Sequence, residues 1–339
     1  MRLIKTLIIL SVTASLFAGA GTDSLNFLKV KPSARGASIG DGFVAVSDDV
    51  NAVFFNPAGL TQISDMEFSL MHMVYMAETS YEYTAFAMPV GEDIRLGAYV
   101  VYLNYGSIAR TTEDGSGNYI ASTSTYSPSD LAVAFSIASK LGSDLSVGLN
   151  IKYACESLDT LSITGIMADV GLLTEIEGVK VGASVYNLGT VSADRAPTGV
   201  RVGGSSKFMA MTDNDLTLAA GINYILASAK ISGSLGGEWK YDNFLFLRGS
   251  YSLMTDADSL NLGVGVKQDL GGLIGEVAYN FSLLGDLGSA HRISVGVKLG
   301  EEDTKYGGKR KVSGGKKSTT TKTSSGNTKS TLKYYFKKK

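Results

Sequence analysis

The feature that most constrains the fold is an alternation of apolar and polar residues that recurs from Met66 to Leu299. In 145–153, leucine, valine, isoleucine and tyrosine occupy every second position, and serine, glycine, asparagine and lysine occupy the positions between them. Segments 216–224, 260–267 and 293–299 follow the same plan. A period of two residues is typical of β-strands with one apolar face, and no helical period of comparable strength competes with it. The chain is therefore predicted to be all-β.

Fourteen alternating segments are bounded by turn residues. An even number of antiparallel strands is expected when both ends of a single-chain outer-membrane barrel lie on the same side of the membrane. The predicted strands are 66–76, 79–89, 94–105, 129–140, 144–155, 161–174, 178–187, 199–208, 215–225, 229–240, 244–252, 259–268, 273–281 and 291–299.

The lengths of the connectors support the same architecture. Short turns, such as 91–93, follow even-numbered strands, whereas the long connectors 106–128, 188–198 and 282–290 all follow odd-numbered ones. Outer-membrane barrels have short periplasmic turns and longer external loops, and in lipid their sheet must close so that every backbone group is paired. These patterns predict a transmembrane antiparallel β-barrel of about 14 strands, with a secreted β-sandwich or propeller as the alternative.

Composition fits a barrel with an occupied interior. Only 19% of the residues are charged, against roughly 25% in soluble domains, and 40 of the 339 residues are glycine. The strand glycines fall on the polar face, which would turn to the lumen, and their small size leaves space for something inside the barrel. Aromatic residues near strand ends, among them Tyr153, Tyr186 and Trp239, are predicted to form an interfacial girdle.

No enzyme signature is present. The chain has no Gly-x-Ser-x-Gly elbow, no phosphate-binding glycine loop and no His-Glu-x-x-His motif. A single cysteine, Cys155, excludes a disulfide framework, and the two histidines, His72 and His291, have no recognisable serine partner for a hydrolase. His72 lies among methionines of the first strand, where a lipid-facing or packing role is favoured over a metal site. We expect neither catalysis nor a cofactor nor a metal.

The first 20 residues are predicted to be a secretory signal peptide. Arg2 and Lys5 form a positive n-region, 7–17 is an apolar h-region, and Ala18-Gly19-Ala20 fits a small-x-small cleavage site. The apolar stretch is too short to span about 30 Å of hydrocarbon comfortably. The mature protein is therefore expected outside the cytoplasm, with cleavage near residue 20.

The last segment, 301–339, is predicted to be a disordered, Lys-rich tail. It carries 12 basic and 3 acidic residues, so the acidic remainder of the chain is joined to a strongly basic end. Its Ser/Thr/Gly/Lys composition cannot bury enough apolar surface to order itself. An anionic polymer, lipid head groups or an acidic partner are the expected contacts, and nucleic acid is not, although the tail is equally consistent with a simple solvated end. The candidate contact residues are Lys309, Arg310, Lys311, Lys316, Lys317, Lys337, Lys338 and Lys339.

Residues 21–65 do not alternate and form a separate segment before the barrel of 66–300. The segment contains Ala34-Arg35 five residues before Gly40, then Asp48-Asp49, then Asn56-Pro57-Ala58-Gly59-Leu60 just ahead of the first strand. Asn-Pro-Ala-Gly is turn chemistry, and Asp48 and Asp49 are placed to cap a helical turn over 50–55. We expect this hatch motif to have a structural role.

The order of these elements resembles the PorV/PorQ family, within the wider FadL-like group of outer-membrane barrels. Two downstream segments, Val185-Tyr186-Asn187-Leu188-Gly189 and 196–203, add to the resemblance, which spans about 24–299. Asp41 and Phe55 depart from it, because a small residue and a tryptophan are common there. The resemblance implies a fourteen-stranded barrel with the N-terminal segment folded into the lumen as a hatch.

Three functions follow from the resemblance and from the tail. PorV/PorQ-like proteins act in secretion by the type IX system, with exported cargo or machinery components as partners, and this is the primary expectation. A FadL-like conduit would instead pass a hydrophobic small molecule through the lumen. A structural envelope protein tethered by its basic tail is the third alternative. All three place the chain in the outer membrane of a Gram-negative-type bacterium, with its lipid as a partner.

Overall fold

A computed structural model of the chain describes residues 23–300, except 212–213 and 256–258. The predicted signal peptide and the predicted basic tail, with its eight candidate contact residues, lie outside the described residues. No helix among the described residues is long and apolar enough to cross a membrane.

A closed antiparallel barrel of fourteen strands forms the body of the protein, as predicted. Every strand pairs with its neighbours along the chain, apart from an inserted hairpin, and the first strand pairs with the last through Met66–Leu299 to Val74–His291. The strands are β1 (Met66–Val74), β2 (Ser80–Val90), β3 (Ile94–Asn104), β6 (Ser129–Leu141), β7 (Leu145–Leu158), β8 (Leu161–Ile176), β9 (Val179–Val191), β10 (Gly199–Met211), β11 (Asn214–Ile225), β12 (Lys230–Tyr241), β13 (Leu245–Leu253), β14 (Leu260–Asp269), β15 (Leu273–Leu283) and β16 (Ser289–Leu299).

The predicted alternation separates the two faces of this sheet. In β7, Leu149, Ile151 and Tyr153 are 40–53% exposed on the outside, whereas Asn150 and Lys152 are almost completely buried in the lumen. Comparable apolar side chains point outward all around the barrel. Because a sheet with such an outer face is stable only in lipid, the barrel is of the outer-membrane type. The short turns mark its periplasmic end and the long connectors its extracellular end.

The long connector 106–128 contains a hairpin that the sequence analysis did not predict. Its strands are β4 (Ile108–Glu113) and β5 (Tyr119–Tyr126), and they form a separate two-stranded sheet. Outside the membrane neither face of the hairpin meets lipid, so its sequence lacks the alternation that marks the barrel strands. Tyr119 at its tip is 71% exposed.

One aromatic residue was placed on the wrong face. Tyr186 is 3% exposed and lies inside the lumen, where its hydroxyl donates to Asn223 Oδ1 at 2.7 Å. Proximity to a strand end does not by itself say which face a side chain occupies, and Tyr186 shares the lumen face with Ser184. Tyr153 and Trp239, by contrast, face outward as a girdle requires.

The N-terminal segment lies inside the barrel. Its helices are α1 (Ala34–Ile39), α2 (Phe43–Val46) and α3 (Ala52–Phe55), connected to 3₁₀ turns at Asn26–Lys29, Gly40–Gly42 and Pro57–Gln62. From α1 onward the chain follows the wall past β16 to β12, then β11 to β9, and reaches β8, β7, β6 and β3 through the last 3₁₀ turn. Most of its side chains are buried. We call this segment, 23–65, the hatch.

Candidate functional site

The Asn-Pro-Ala-Gly turn attaches the hatch to the barrel wall. The Asn56 amide donates to the carbonyl of Val44 in α2 at 2.8 Å and to that of Leu172 in β8 at 3.0 Å. Its Oδ1 accepts from the N–H of Ala58 at 3.2 Å, and Pro57 is the first residue of the 3₁₀ turn. Asn56, Pro57, Ala58 and Gly59 are all buried. These contacts support the structural role expected for the motif.

Alanine in place of Asn56 should cost about 1–3 kcal/mol, because two buried carbonyls lose their donor. Urea unfolding of the refolded protein in detergent measures the change. Asn118→Ala is the matched control, since Asn118 is an exposed asparagine of the β4–β5 turn that does not contact the hatch. Equal losses for the two variants would contradict an anchoring role for Asn56.

Glycines of the wall make room for the hatch. A Cβ on Gly171 would lie on top of Asn56 Oδ1 and 2.9 Å from both Ala58 N and Pro57 Cδ, and one on Gly203 would be 2.7 Å from Val44 Cγ1. We call the wall residues with this property the glycine belt. They are Gly97, Gly148, Gly171, Gly182, Gly203, Gly221, Gly236 and Gly263. The predicted space inside the lumen is therefore taken up by the hatch at the level of this belt.

The Asp48-Asp49 pair binds an arginine of the hatch itself. Arg35 Nη1 donates to Asp48 Oδ1 at 2.6 Å and to Asp49 Oδ2 at 2.7 Å. Asp49 also accepts the N–H of Asn51 through Oδ1 at 2.8 Å, which resembles the expected cap, whereas α3 has no side-chain cap. Burial alone would lower the pKa of the Arg35 guanidinium, but the charges of Asp48, Glu238 and Asp49 raise that pKa well above its ordinary value. Arg35 is thus permanently charged.

Arg35 links the hatch to the wall through a second set of ion pairs. Its Nε and Nη2 donate to the two carboxylate oxygens of Glu238 in β12, at 2.8 and 2.9 Å. Glu238 also accepts from Arg248 Nε at 2.6 Å, and Arg248 Nη2 donates to Glu276 at 2.8 Å. This latch network of Arg35, Asp48, Asp49, Glu238, Arg248 and Glu276 borders a polar cleft of about 230 Å³ at the periplasmic end. The sequence analysis did not identify its wall members.

A second group of buried charges lies higher in the lumen. Lys152 in β7 donates to Asp169 in β8 at 3.1 Å, and Asp169 also accepts from Asn150 at 2.8 Å. Arg201 in β10 stacks on Tyr186 with its guanidinium carbon 4.0 Å from the ring centroid. Lys152 and Asp169 could have been identified from the sequence as lumen residues, because each is a charged residue in the middle of the polar face of a predicted strand.

The two downstream segments of the family resemblance meet at this level. Asn187 has a φ of 55° and lies beside a register shift between β8 and β9. Its N–H donates to Asp169 at 2.7 Å, its amide donates to Pro197 O at 3.2 Å, and its carbonyl accepts from Thr198 Oγ1 at 2.7 Å. The two segments therefore act together, because their hydrogen bonds through Asn187 hold the irregular pairing between β8 and β9.

The remaining singled-out residues lie outside the lumen site. His72 and His291 are on the outer face, where His72 contacts Glu82 and His291 contacts Tyr279. Cys155 is half-buried beside Ser162. Within the described ranges, no group of three or more His, Cys, Asp or Glu side chains is arranged to hold a metal.

Comparisons with known proteins identify solved structures with a similar fold. No family model and no curated protein matches the chain. Among solved structures, the toluene transporter TodX of Pseudomonas putida is 13% identical, with a TM-score of 0.55 over 79% of this chain and 97% of that one. The toluene transporter TbuX of Ralstonia pickettii is 15% identical, with a TM-score of 0.49 over 74% and 94% of the two chains. By its closed apolar-faced barrel and its likeness to TodX, the chain has the fold of the FadL-like outer-membrane β-barrels.

Proposed function

We propose that the protein carries a hydrophobic small molecule across the outer membrane. The observation that supports this function is the apolar lining of the extracellular half of the lumen. A general porin has a polar interior that holds water. Here an apolar and aromatic cluster lies in that half, and Leu25, Phe27 and Leu28 at the start of the hatch belong to it. Its members from the wall and its connectors include Met71, Met73, Tyr81, Leu103, Met167 and Leu284.

The route would lead from this apolar region past the hatch to the periplasmic end. Phe54 and Phe55 of α3 form edge-to-face ring contacts below it, and Phe54 also contacts Tyr99 of β3. On the periplasmic side, polar clefts of about 230 and 440 Å³ flank the hatch. Because the glycine belt and the hatch are in direct contact, passage requires the hatch to shift against the wall.

The TodX likeness supports this assignment over the secretion hypothesis. TodX is named a toluene transporter, and its fold is the one shared with this chain. The PorV/PorQ assignment and the role in type IX secretion rest on the sequence motifs alone, and so they stay a prediction. The exposed β4–β5 hairpin is the feature that would suit an exported protein partner. The tail-tethering alternative concerns residues outside the described ranges and stays a prediction too.

Uptake of toluene into vesicles that contain the full-length protein, and whose outer leaflet is lipopolysaccharide so that toluene does not simply diffuse through it, tests the proposal. We expect uptake several times faster than into empty vesicles, without faster entry of sucrose. Thr61→Cys with Ser146→Cys, in a Cys155→Ser background, provides a lock, because Thr61 Oγ1 of the hatch donates to Ser146 Oγ of β7 at 2.7 Å. Oxidation should stop uptake and reduction should restore it in the same sample. Equal entry of sucrose and toluene, or no acceleration at all, would overturn the proposed function.

A further inference from the structure

Arg201 is buried at the contact between the hatch and the wall. It is 3% exposed, and in the sheet it faces Ser184 of β9 and Asn223 of β11. Its guanidinium carbon lies 4.0 Å from the ring centroid of Tyr186 on the wall and 5.6 and 5.9 Å from those of Phe54 and Phe55 in the hatch. Three aromatic rings, two from the hatch and one from the wall, therefore surround the cation.

This guanidinium lacks an acceptor among the described residues. Its Nη1 is shielded from solvent and makes no hydrogen bond, and no described carboxylate forms an ion pair with Arg201. Arginine stays protonated in proteins, so the charge cannot be removed by proton loss. Aromatic faces attract a cation but do not replace in-plane hydrogen-bond acceptors. A buried charge in this condition calls for a counter-ion.

The other buried cations show how unusual this is. Lys152 is paired with Asp169, and Arg248 is paired with Glu238 and Glu276. Arg292 donates to Asn280 Oδ1 at 2.9 Å and to Ser282 Oγ at 2.6 Å. Arg201 alone among these four has no such partner.

Two tyrosine hydroxyl groups of the same aromatic cluster also lack hydrogen-bond partners. The hydroxyls of Tyr83 and Tyr99 are buried without a hydrogen-bond partner. Tyr99 contacts Phe54 with a centroid distance of 5.7 Å, and Tyr83 lies 6.0 Å from Tyr99. Lys152 Nζ is 5.9 Å from the Tyr99 ring centroid. Two cationic side chains and two hydroxyl donors without acceptors therefore lie in one part of the lumen. An anion there would supply the missing acceptor.

We propose that Arg201 binds a monovalent anion, a halide or a carboxylate, between the hatch and the barrel wall. One charge is sufficient, because the ammonium of Lys152 is already matched by Asp169. The bound anion would neutralise the guanidinium that packs against Phe54 and Phe55 of α3, so its presence stabilises the seated hatch. This site is independent of the hydrophobic passenger proposed above.

Bromide provides the direct test, because its anomalous scattering identifies it in a crystal. We expect crystals of the unaltered full-length protein grown in bromide to show an anomalous peak within hydrogen-bond distance of the Arg201 guanidinium. Crystals of Arg201→Gln should lack that peak. A water molecule or empty density at Arg201 in the unaltered protein would overturn the proposal. The measurement does not depend on transport, so its failure is distinct from failure of the proposed function.

Thermal unfolding compares the two kinds of anion, a halide and a carboxylate, and needs no crystal. In detergent at constant ionic strength, replacement of a bulky sulfonate by bromide or by formate should raise the unfolding temperature of the unaltered protein in a saturable way. Hexanoate raises it as well if a carboxylate with an alkyl chain fits, and only the small ions do so if the site is closed. Arg201→Gln and Arg201→Met should show no such rise. The same rise in both variants would overturn the assignment to Arg201.

Discussion

Alanine in place of Glu238 is expected to lower the free energy of unfolding by about 3–5 kcal/mol. Glu238 is the carboxylate that Arg35 of the hatch and Arg248 of the wall share, and its side chain is 8% exposed. Removal leaves two guanidinium groups in the lumen with part of their charge unmatched. The cost therefore reflects uncompensated buried charge more than the loss of two attractive contacts.

Asp48→Ala is the matched control for this variant. Asp48 binds the same Arg35 at 2.6 Å, but its side chain is 40% exposed and water can replace it. We expect a loss below about 1 kcal/mol, as is usual for exposed ion pairs. Urea unfolding in detergent measures both variants. Similar losses for Glu238→Ala and Asp48→Ala would contradict the view that burial of the latch network determines its strength.

A combined replacement distinguishes the origin of the cost. Substitution of Arg35, Glu238 and Arg248 by methionine, leucine and methionine removes all three charges at once. Apolar side chains of similar volume can replace a buried ion network without loss of stability. The triple variant should therefore be more stable than Glu238→Ala, although it contains more substitutions.

The barrel could be predicted from the sequence because lipid imposes one rule on every strand. Most residues on the outer face must be apolar whichever strand they belong to, and so a period of two recurs in strands such as β7, β14 and β16, although β2 carries Glu82 and Thr84 outside and Tyr81 and Tyr83 inside. The β4–β5 hairpin is not subject to that rule and was missed for this reason. Tyr186 was assigned to the girdle because it lies near a strand end. Whether a side chain reaches the girdle depends instead on the face of the strand that carries it.

The site could be predicted only where its contacts are local. The turn at Asn56 depends on neighbours within a few residues, because Asn56 Oδ1 accepts from the N–H of Ala58, and that turn could be predicted. Its bonds to Val44 and Leu172 join distant parts of the chain and could not, so the structural role of the motif stays a prediction. The latch network depends on Arg35 and Glu238, which are 203 residues apart in the chain. No periodicity or spacing connects two such positions, and Asp48 and Asp49 were accordingly expected to cap a helix, although their main partner is Arg35.

Valine in place of Gly171 should displace the hatch, the second large effect that we expect. The first atom of the new side chain would collide with Asn56 Oδ1 and stand 2.9 Å from both Ala58 N and Pro57 Cδ. Two of these three atoms belong to backbone or to a proline ring, so rotation of a side chain cannot relieve the clash. Overpacking of this kind costs about 1–3 kcal/mol where the structure yields, and more where it does not.

Trypsin cleavage after Arg35 reports the position of the hatch, since a protease cannot enter the filled lumen. We expect Gly171→Val to be cut at this bond while the Arg35–Gly36 bond of the parent chain stays uncut, as mass spectrometry of the fragments shows, and cleavage at exposed basic residues elsewhere is the same in both. The migration of unheated and heated samples on a gel shows that the barrel has closed. Gly204→Val is the matched control, because a Cβ there meets nothing nearer than Lys180 O at 3.8 Å. Protection of Arg35 in Gly171→Val would mean that the wall accommodates the side chain, and the glycine belt would then not be what seats the hatch. Cleavage in Gly171→Val alone would place the determinant of closure in the wall glycines rather than in the hatch sequence.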